Sequence, residues 1–455
     1  MVKEASVNPR LLALEILLEA EKGEKKATEL IRGALDKADD LPRRDKAFIR
    51  RLSGGVIERR ITLDHCIDAF ASTKTRRMKP AIRQILRMGC YQLLYMDSVP
   101  ASAAVNESVA LAARKGFAGL KGFVNAVLRN VERNKENIPM PSRKEDLPLF
   151  LSVSYSMPRW IVERFLSQYG ERTAERMLAA ALSERPVCVR VCGDADKLRG
   201  EWEAQGVTVE EEPRLPGVLF LRNVPGVEQL AGFAEGGFFV QDTASMLAVK
   251  AAGIRPGEKV IDLCAAPGGK SIAASFLCGS SGSVRSFDIS DAKLERIREN
   301  ALRLKRENIE VLQGDARCRN AALLSAADVL IADLPCSGLG VLGRKPDIRY
   351  RVQEEDIGGL RALQREILWA SLDYLKPGGR LLYSTCTVTE EENEGNYHWL
   401  LENFPLHPVD IYDRVPEALV KDTARQGYMQ LLCGEPEGLP LTDGFFFAVF
   451  ERTEA

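Results

Sequence analysis

The chain has 455 residues, more than one ordinary core encloses, so two or three domains are expected. Hydrophobic residues make up 45% and charged residues 28%, and no apolar run is long enough for a helical membrane span. Ten cysteines are scattered without the C-x-x-C pairs of a zinc site, so no metal is expected, and free thiols point to the reducing cytoplasm. The net charge of −1 hides an asymmetry: residues 1–140 hold 26 Lys/Arg against 17 Asp/Glu, and the remainder 37 against 47. A basic front joined to an acidic remainder suggests that the front meets a polyanion.

Residues 1–135 read as all-helical. The N-terminal stretch, broken by Glu15 and Glu19, reads as an amphipathic helix instead of a signal peptide. Asn8-Pro9 supplies an N-cap and a proline at the first helical position, and Gly23 closes that helix. Further helices are predicted near 26–37, 44–71, 77–95, 102–115 and 119–134. Lys74, Arg76, Arg77, Lys79, Arg83 and Arg87 put six cations into fourteen residues with no carboxylate among them.

Residues 136–148 are polar and proline-rich, a linker. A helix follows from near Pro158. Strand-like runs at 186–191, 207–212 and 218–222 then alternate with helical ones in a small α/β module. From residue 258 strands and helices alternate as in a doubly wound sheet, with strands near 259–264, 284–288, 309–312, 328–333 and 379–385. The last stretch, 427–452, offers two more strands as a hairpin.

The stretch EKVIDLCAAPGGKS (258–271) turns from a buried strand through Ala265-Ala266-Pro267-Gly268-Gly269 into a helix opened by Lys270. Small residues let backbone N–H groups approach a ligand, and a helix start presents unpaired donors and a positive dipole end. Both G-x-G-x-x-G and the Walker sequence are absent. Asp288, Asp315 and Asp333 follow three successive strands, on the sheet edge where a nucleotide-like ligand binds. Asp288 stands where ribose hydroxyls are held.

The string DLCAAPGGKS resembles the S-adenosylmethionine (SAM) loop of the RNA cytosine-C5 methyltransferases of the Nop2/Sun/RsmB family. The segments 99–116 and 122–131 are similar to the NusB-like RNA-binding domain of its RsmB branch. The resemblance implies an all-α NusB-like domain over 1–140, a linker and small RRM-like α/β module over 141–236, and a Rossmann-like SAM-dependent methyltransferase domain over 237–455. It places the cofactor at Cys264, Ala265, Ala266, Pro267, Gly268, Gly269, Lys270, Asp288, Asp315 and Asp333. It also implies a 16S rRNA substrate. A base inside a duplex cannot offer C6 to a thiol, so the target cytosine is expected to be unpaired or flipped out, and no membrane partner and a monomer are expected.

Cytosine C5 is a poor nucleophile until a thiolate adds to C6, so the reaction asks for a thiol, an acid near N3 and a release group. Asp333-Leu334-Pro335-Cys336 and Ser384-Thr385-Cys386 each set a cysteine just past a strand, and in the order 3-2-1-4-5 those strands are neighbours. DNA cytosine methyltransferases use the Pro-Cys cysteine as nucleophile and the RNA family the Thr-Cys one. The presence of both motifs assigns Cys386 as nucleophile, Cys336 as release group and Asp333 as the holder of protonated N3. Lys270 either neutralises the cofactor or orients the base. The loop 338–351 offers glycines for mobility and Arg344, Lys345, Arg349 and Arg351 for phosphates. The rivals are an RNA-binding or antitermination factor with a vestigial methyltransferase domain, and a DNA cytosine-C5 methyltransferase.

Overall fold

A computed structural model describes residues 8–38, 40–435 and 442–453. The first seven residues of the predicted N-terminal helix region, and the connection of the predicted C-terminal hairpin at 436–441, lie outside them. The chain forms two compact units: residues 1–182 with 344–352, and residues 183–343 with 353–455.

The first unit is helical: α1 (Pro9–Glu21), α2 (Ala27–Lys37), α3 (Arg43–Glu58), α4 (Arg60–Phe70), α5 (Pro80–Tyr95), α6 (Ala101–Arg114), α7 (Lys121–Arg133), α8 (Leu147–Ser154) and α9 (Arg159–Ala180). Asn8 caps α1 as expected, its side chain accepting from the N–H groups of Arg10 and Leu11 at 3.0 Å. The stretch 44–71 is two helices, not one. It turns at Arg59, where no glycine or proline marks the break, and the Arg59 guanidinium lies over the Tyr95 ring at 4.9 Å. Gly55 is needed for packing: a Cβ there would fall 2.0 Å from the Tyr91 ring. Leu14, Ile49, Leu52, Ile85, Leu86 and Val127 form the core.

In the second unit β1 (Val187–Val191), α10 (Ala195–Ala204), β2 (Thr208–Glu211), β3 (Val218–Arg222) and β4 (Phe238–Val240) build an antiparallel sheet in the order β2-β3-β1-β4. Trp202 and Phe238 pack edge to face beneath it. Then come α11 (Thr243–Ala251), β5 (Lys259–Asp262), α12 (Gly269–Cys278), β6 (Ser283–Asp288), α13 (Asp291–Arg303), β7 (Ile309–Gln313) and β8 (Ala327–Asp333). After β8 the chain contributes residues 344–352, with α14 (Ile348–Arg351), to the helical unit. It continues through α15 (Asp356–Ser371), β9 (Leu375–Thr385), α16 (Glu394–Asn403), β10 (Leu406–Pro408), β11 (Tyr428–Leu431) and β12 (Phe445–Arg452).

The large sheet runs β10-β12-β9-β8-β5-β6-β7, with β11 also on β12. Strands β7, β6, β5, β8 and β9 are parallel, the expected 3-2-1-4-5 order, and β12 closes antiparallel on β9. Alternate residues serve opposite faces. Val260, Ile331, Leu382 and Phe447 pack with α11 and α12, while Ile261, Leu330, Leu381 and Phe446 pack with α15 and α16.

Arg349 is not a phosphate hand. It is 1% exposed, and its guanidinium donates to the carbonyls of Glu58 and Ser156 within the helical unit, while Asp347 accepts from the Ala27 N–H. Arg351 pairs with Asp347 at 3.6 Å.

Candidate active site

The turn after β5 carries Cys264 to Gly268 to the carboxyl edge of the sheet. Ala265 N–H donates to the Phe287 carbonyl, pinning the turn to β6, and Gly268 adopts φ 102°, which favours a residue without Cβ. A Cβ on Gly268 would press on Ile297 at 3.3 Å. The first helical bond of α12 runs from Ile272 to Gly268, so the N–H groups of Gly269, Lys270 and Ser271 head the helix without an intrahelical acceptor. Burial pushes the Cys264 thiol up to about 12, so this cysteine stays a neutral lining group.

Asp262, fully buried at the end of β5, accepts from Ser271 Oγ at 2.7 Å, and Ser271 accepts in turn from Ser286 Oγ at 2.8 Å. Its other oxygen, Oδ1, has no partner, and neither has the buried Oε1 of Gln241, which lies beside Gly269. Asp288, 6% exposed at the end of β6, accepts from the Ser290 N–H and lies 3.5 Å from Lys293 Nζ. Asp315 follows β7 and borders a cavity of about 310 Å³ that Leu263, Phe287, Ala316 and Tyr374 also line. Both its oxygens are engaged by Arg317, which holds the carboxyl below its usual range. The sequence reading missed that partner, although it is only two residues away.

Strands β8 and β9 pair in parallel with Asp333 opposite Ser384, and Ser384 Oγ donates to Asp333 Oδ1 at 2.9 Å. Lys270 Nζ meets Asp333 Oδ2 at 2.7 Å and lies over the Phe445 ring. Beyond this matched pair the two strand ends deliver Cys336 and Cys386 to each other, Sγ to Sγ 3.3 Å, both half-buried. Contact with Cys386, then burial, pushes the Cys336 thiol well above the ordinary thiol range.

Residues 250–451 match the family model for 16S rRNA methyltransferase RsmB/F, and residues 7–133 that of the NusB family. The probable ribosomal RNA small subunit methyltransferase B of Bacillus subtilis is 33% identical, the match covering 99% of this chain and all of that one. The chain belongs to the RsmB/F family of 16S rRNA methyltransferases. The small subunit methyltransferase B of Vibrio cholerae is also 33% identical, over 90% of each chain. Among solved structures, that of PH0851 has the same fold with a TM-score of 0.80 at 24% identity, covering 99% of this chain and all of that one. A methyltransferase homologue from Pyrococcus horikoshii aligns with a TM-score of 0.54 at 25% identity, over 68% of this chain and 99% of that one.

An RsmB/F enzyme takes its methyl group from SAM, and the residues present fit that group. The helix-start donors suit a carboxylate, the orphaned Gln241 Oε1 and Asp262 Oδ1 offer acceptors for an ammonium group, and the cavity at Asp315 has apolar walls. The family assignment also disposes of a DNA methyltransferase. What the sequence reading missed lies under the thiols: Ser337, Gln364, Thr387, Thr389, Glu392 and Asn393 form one buried hydrogen-bonded cluster. Glu390, Glu391 and Glu392 are three identical letters, exposed, half-buried and fully buried in turn, and nothing local distinguishes the third.

Proposed function

We propose that this enzyme methylates C5 of an unpaired or flipped-out cytosine of 16S rRNA through a covalent bond from Cys386 to C6. The observation that carries the reading is the meeting of two thiols, 3.3 Å apart, beside the Lys270–Asp333 pair. Bound SAM supplies an electrophilic methyl group. Cys386, as thiolate, adds to C6 and makes C5 enamine-like; Asp333 accepts from protonated N3, and Lys270 and Ser384 hold that carboxylate in place. Once C5 carries the methyl group its proton passes to solvent, the C6–S bond breaks with its electron pair returning to the Cys386 sulfur, and Cys336, next to the departing sulfur, serves this release.

The cofactor residues in this reading are Cys264 to Lys270, Asp288, Asp315 and Asp333. A target inside a helix has to be unstacked before a thiol reaches C6, so recognition requires an RNA handle. The helical domain over 1–140 would provide it, ahead of the module at 141–236 and the catalytic domain at 237–455. No described helix is long and apolar enough to cross a membrane, and we take the enzyme to act as a cytoplasmic monomer. A vestigial methyltransferase domain is the less favoured reading, because the thiol pair, Asp333 and Lys270 are assembled together.

The order of the thiols is tested by trapping. Cys386→Ala should abolish both methyl transfer and any covalent complex with RNA. Cys336→Ala should still attack and methylate but release slowly, so a protein–RNA adduct should survive denaturing electrophoresis. An adduct with Cys386→Ala and none with Cys336→Ala would make Cys336 the nucleophile.

A further inference from the structure

Glu392 is fully buried, and no cation is paired with it among the described residues. Four donors converge on its carboxylate. Ser337 N–H and Gln364 Nε2 reach Oε1 at 2.9 and 3.0 Å, and the hydroxyls of Ser337 and Thr389 reach Oε2 at 2.5 and 2.7 Å. One backbone N–H, one amide N–H and two hydroxyls thus occupy both oxygens of the carboxyl group. Because Ser337 gives its hydroxyl proton to Glu392, the 2.6 Å contact between Ser337 Oγ and Thr387 Oγ1 has Thr387 as donor. The relay Thr387 to Ser337 to Glu392 therefore joins the residue after Cys386 to the residue after Cys336. Asn393, the next residue, accepts from Thr385 Oγ1 at 2.6 Å and donates to the Thr387 carbonyl at 3.2 Å, bracing the turn on both sides of Cys386.

We propose that Glu392 is a positioning residue for the thiol pair: its buried carboxylate ties the Cys336 loop to the Cys386 loop and sets the reach of one sulfur to the other. The role rests on the thiol chemistry proposed above and touches neither substrate nor cofactor. A buried carboxylate without a cation is a costly way to fill space, whereas an apolar side chain of that size would leave Ser337, Thr389 and Gln364 without their acceptor. What the carboxylate adds is a fixed geometry and a fixed charge. The groups facing Cys336 are Cys386, Asp333, Glu392 and Tyr383, with Lys270 committed to Asp333. Contact with Cys386, burial and the neighbouring Glu392 together push the Cys336 thiol up, which disfavours its thiolate.

The test uses the full chain. Glu392→Gln keeps the shape but removes the charge and turns one acceptor into a donor. In this variant kcat should fall about a hundred-fold, as for a reacting group displaced by about an ångström, with SAM affinity by calorimetry unchanged. Iodoacetamide labelling followed by peptide mass spectrometry should show the pH midpoint of Cys336 falling by about one unit, the effect of a lost neighbouring charge. Wild-type kcat with an unmoved midpoint would overturn the proposal. Should that variant fold poorly, Ser337→Ala removes the hydroxyl that joins Glu392 to Thr387, cutting the tie between the loops while leaving the Glu392 side chain in place. Its kcat should drop with the Cys336 midpoint unmoved, and wild-type turnover would overturn the proposal equally. A covalent RNA adduct with Cys336→Ala alongside full activity of Glu392→Gln would sink the positioning role alone. If Cys386→Ala remains active, the thiol reading itself falls, and the alkylation midpoint still reports whether Glu392 governs the pair.

Discussion

At the scale of single residues, two buried aspartates behave differently although each ends a strand of the same sheet. Asp288 keeps a capping bond to Ser290 and, in the function proposed above, receives the ribose hydroxyls of SAM. Asp288→Ala should weaken SAM binding by roughly 1–3 kcal/mol, the cost of leaving polar partners unpaired; calorimetry showing unchanged affinity in a folded variant would remove it from the site. Asp262 has one oxygen bonded to Ser271 and one orphaned, and burial pushes its carboxyl up to about 7. An unfolded aspartate titrates at about 3.9, so the native state retains a proton that the unfolded chain has released between those values. The stability from this group is full below about pH 4 and is lost as pH rises through about 7. Without SAM, Asp262→Asn should therefore raise resistance to urea at pH 8 by on the order of a few kcal/mol more than at pH 5. Equal shifts at both values would show that Asp262 does not titrate there.

At the scale of elements, the loop after β8 works by close approach. Its glycines are expected from the sequence to give mobility, yet Gly340 donates to the Cys386 carbonyl at 3.0 Å and accepts from the Gly444 N–H at 2.8 Å. A Cβ on Gly340 would lie 2.0 Å from the Gly444 carbonyl oxygen and 2.8 Å from that of Cys386, both backbone atoms that cannot swing away. Gly340→Ala should destabilise the catalytic unit by about 1–3 kcal/mol, as overpacking does, and slow methyl transfer along with it. A melting temperature and a kcat equal to wild type would show that the loop yields.

At the scale of the whole molecule, the helical unit carries the surplus of positive charge, but only part of it faces water. Arg83 pairs with Glu21 at 2.6 Å, and Arg87, 3% exposed, pairs with Asp64 at 2.6 Å, so both are structural. Lys74, Arg76, Arg77 and Lys79 remain exposed around the short turn before α5. Replacing these four with Gln should lower RNA affinity and reduce the slope of log affinity against log salt by up to about 3, because fewer counterions are released. An unchanged slope would place the RNA handle elsewhere. The full chain is the right vehicle, since residues 344–352, only eight positions after Cys336, belong to the helical unit and a truncation would strip them of their partners.

By itself the sequence determined the strand order of the catalytic sheet, the glycine turn at 265–269, the aspartates at the strand ends and the neighbourhood of Cys336 and Cys386. All of these follow from local pattern: apolar runs mark parallel strands, small residues mark the turn, and a right-handed crossover leaves few ways to order the strands. The tertiary structure alone decided which charges are available and which are spent. Arg349, Arg83 and Arg87 look like their exposed neighbours in sequence, but partners distant in the chain bury or pair them. Glu392 likewise stands in a run of three glutamates and differs from them only in where the turn after β9 puts it. Burial and pairing are set by residues 20 to about 290 positions apart, as Glu58 and Arg349 are, and no window of sequence contains both members of such a pair.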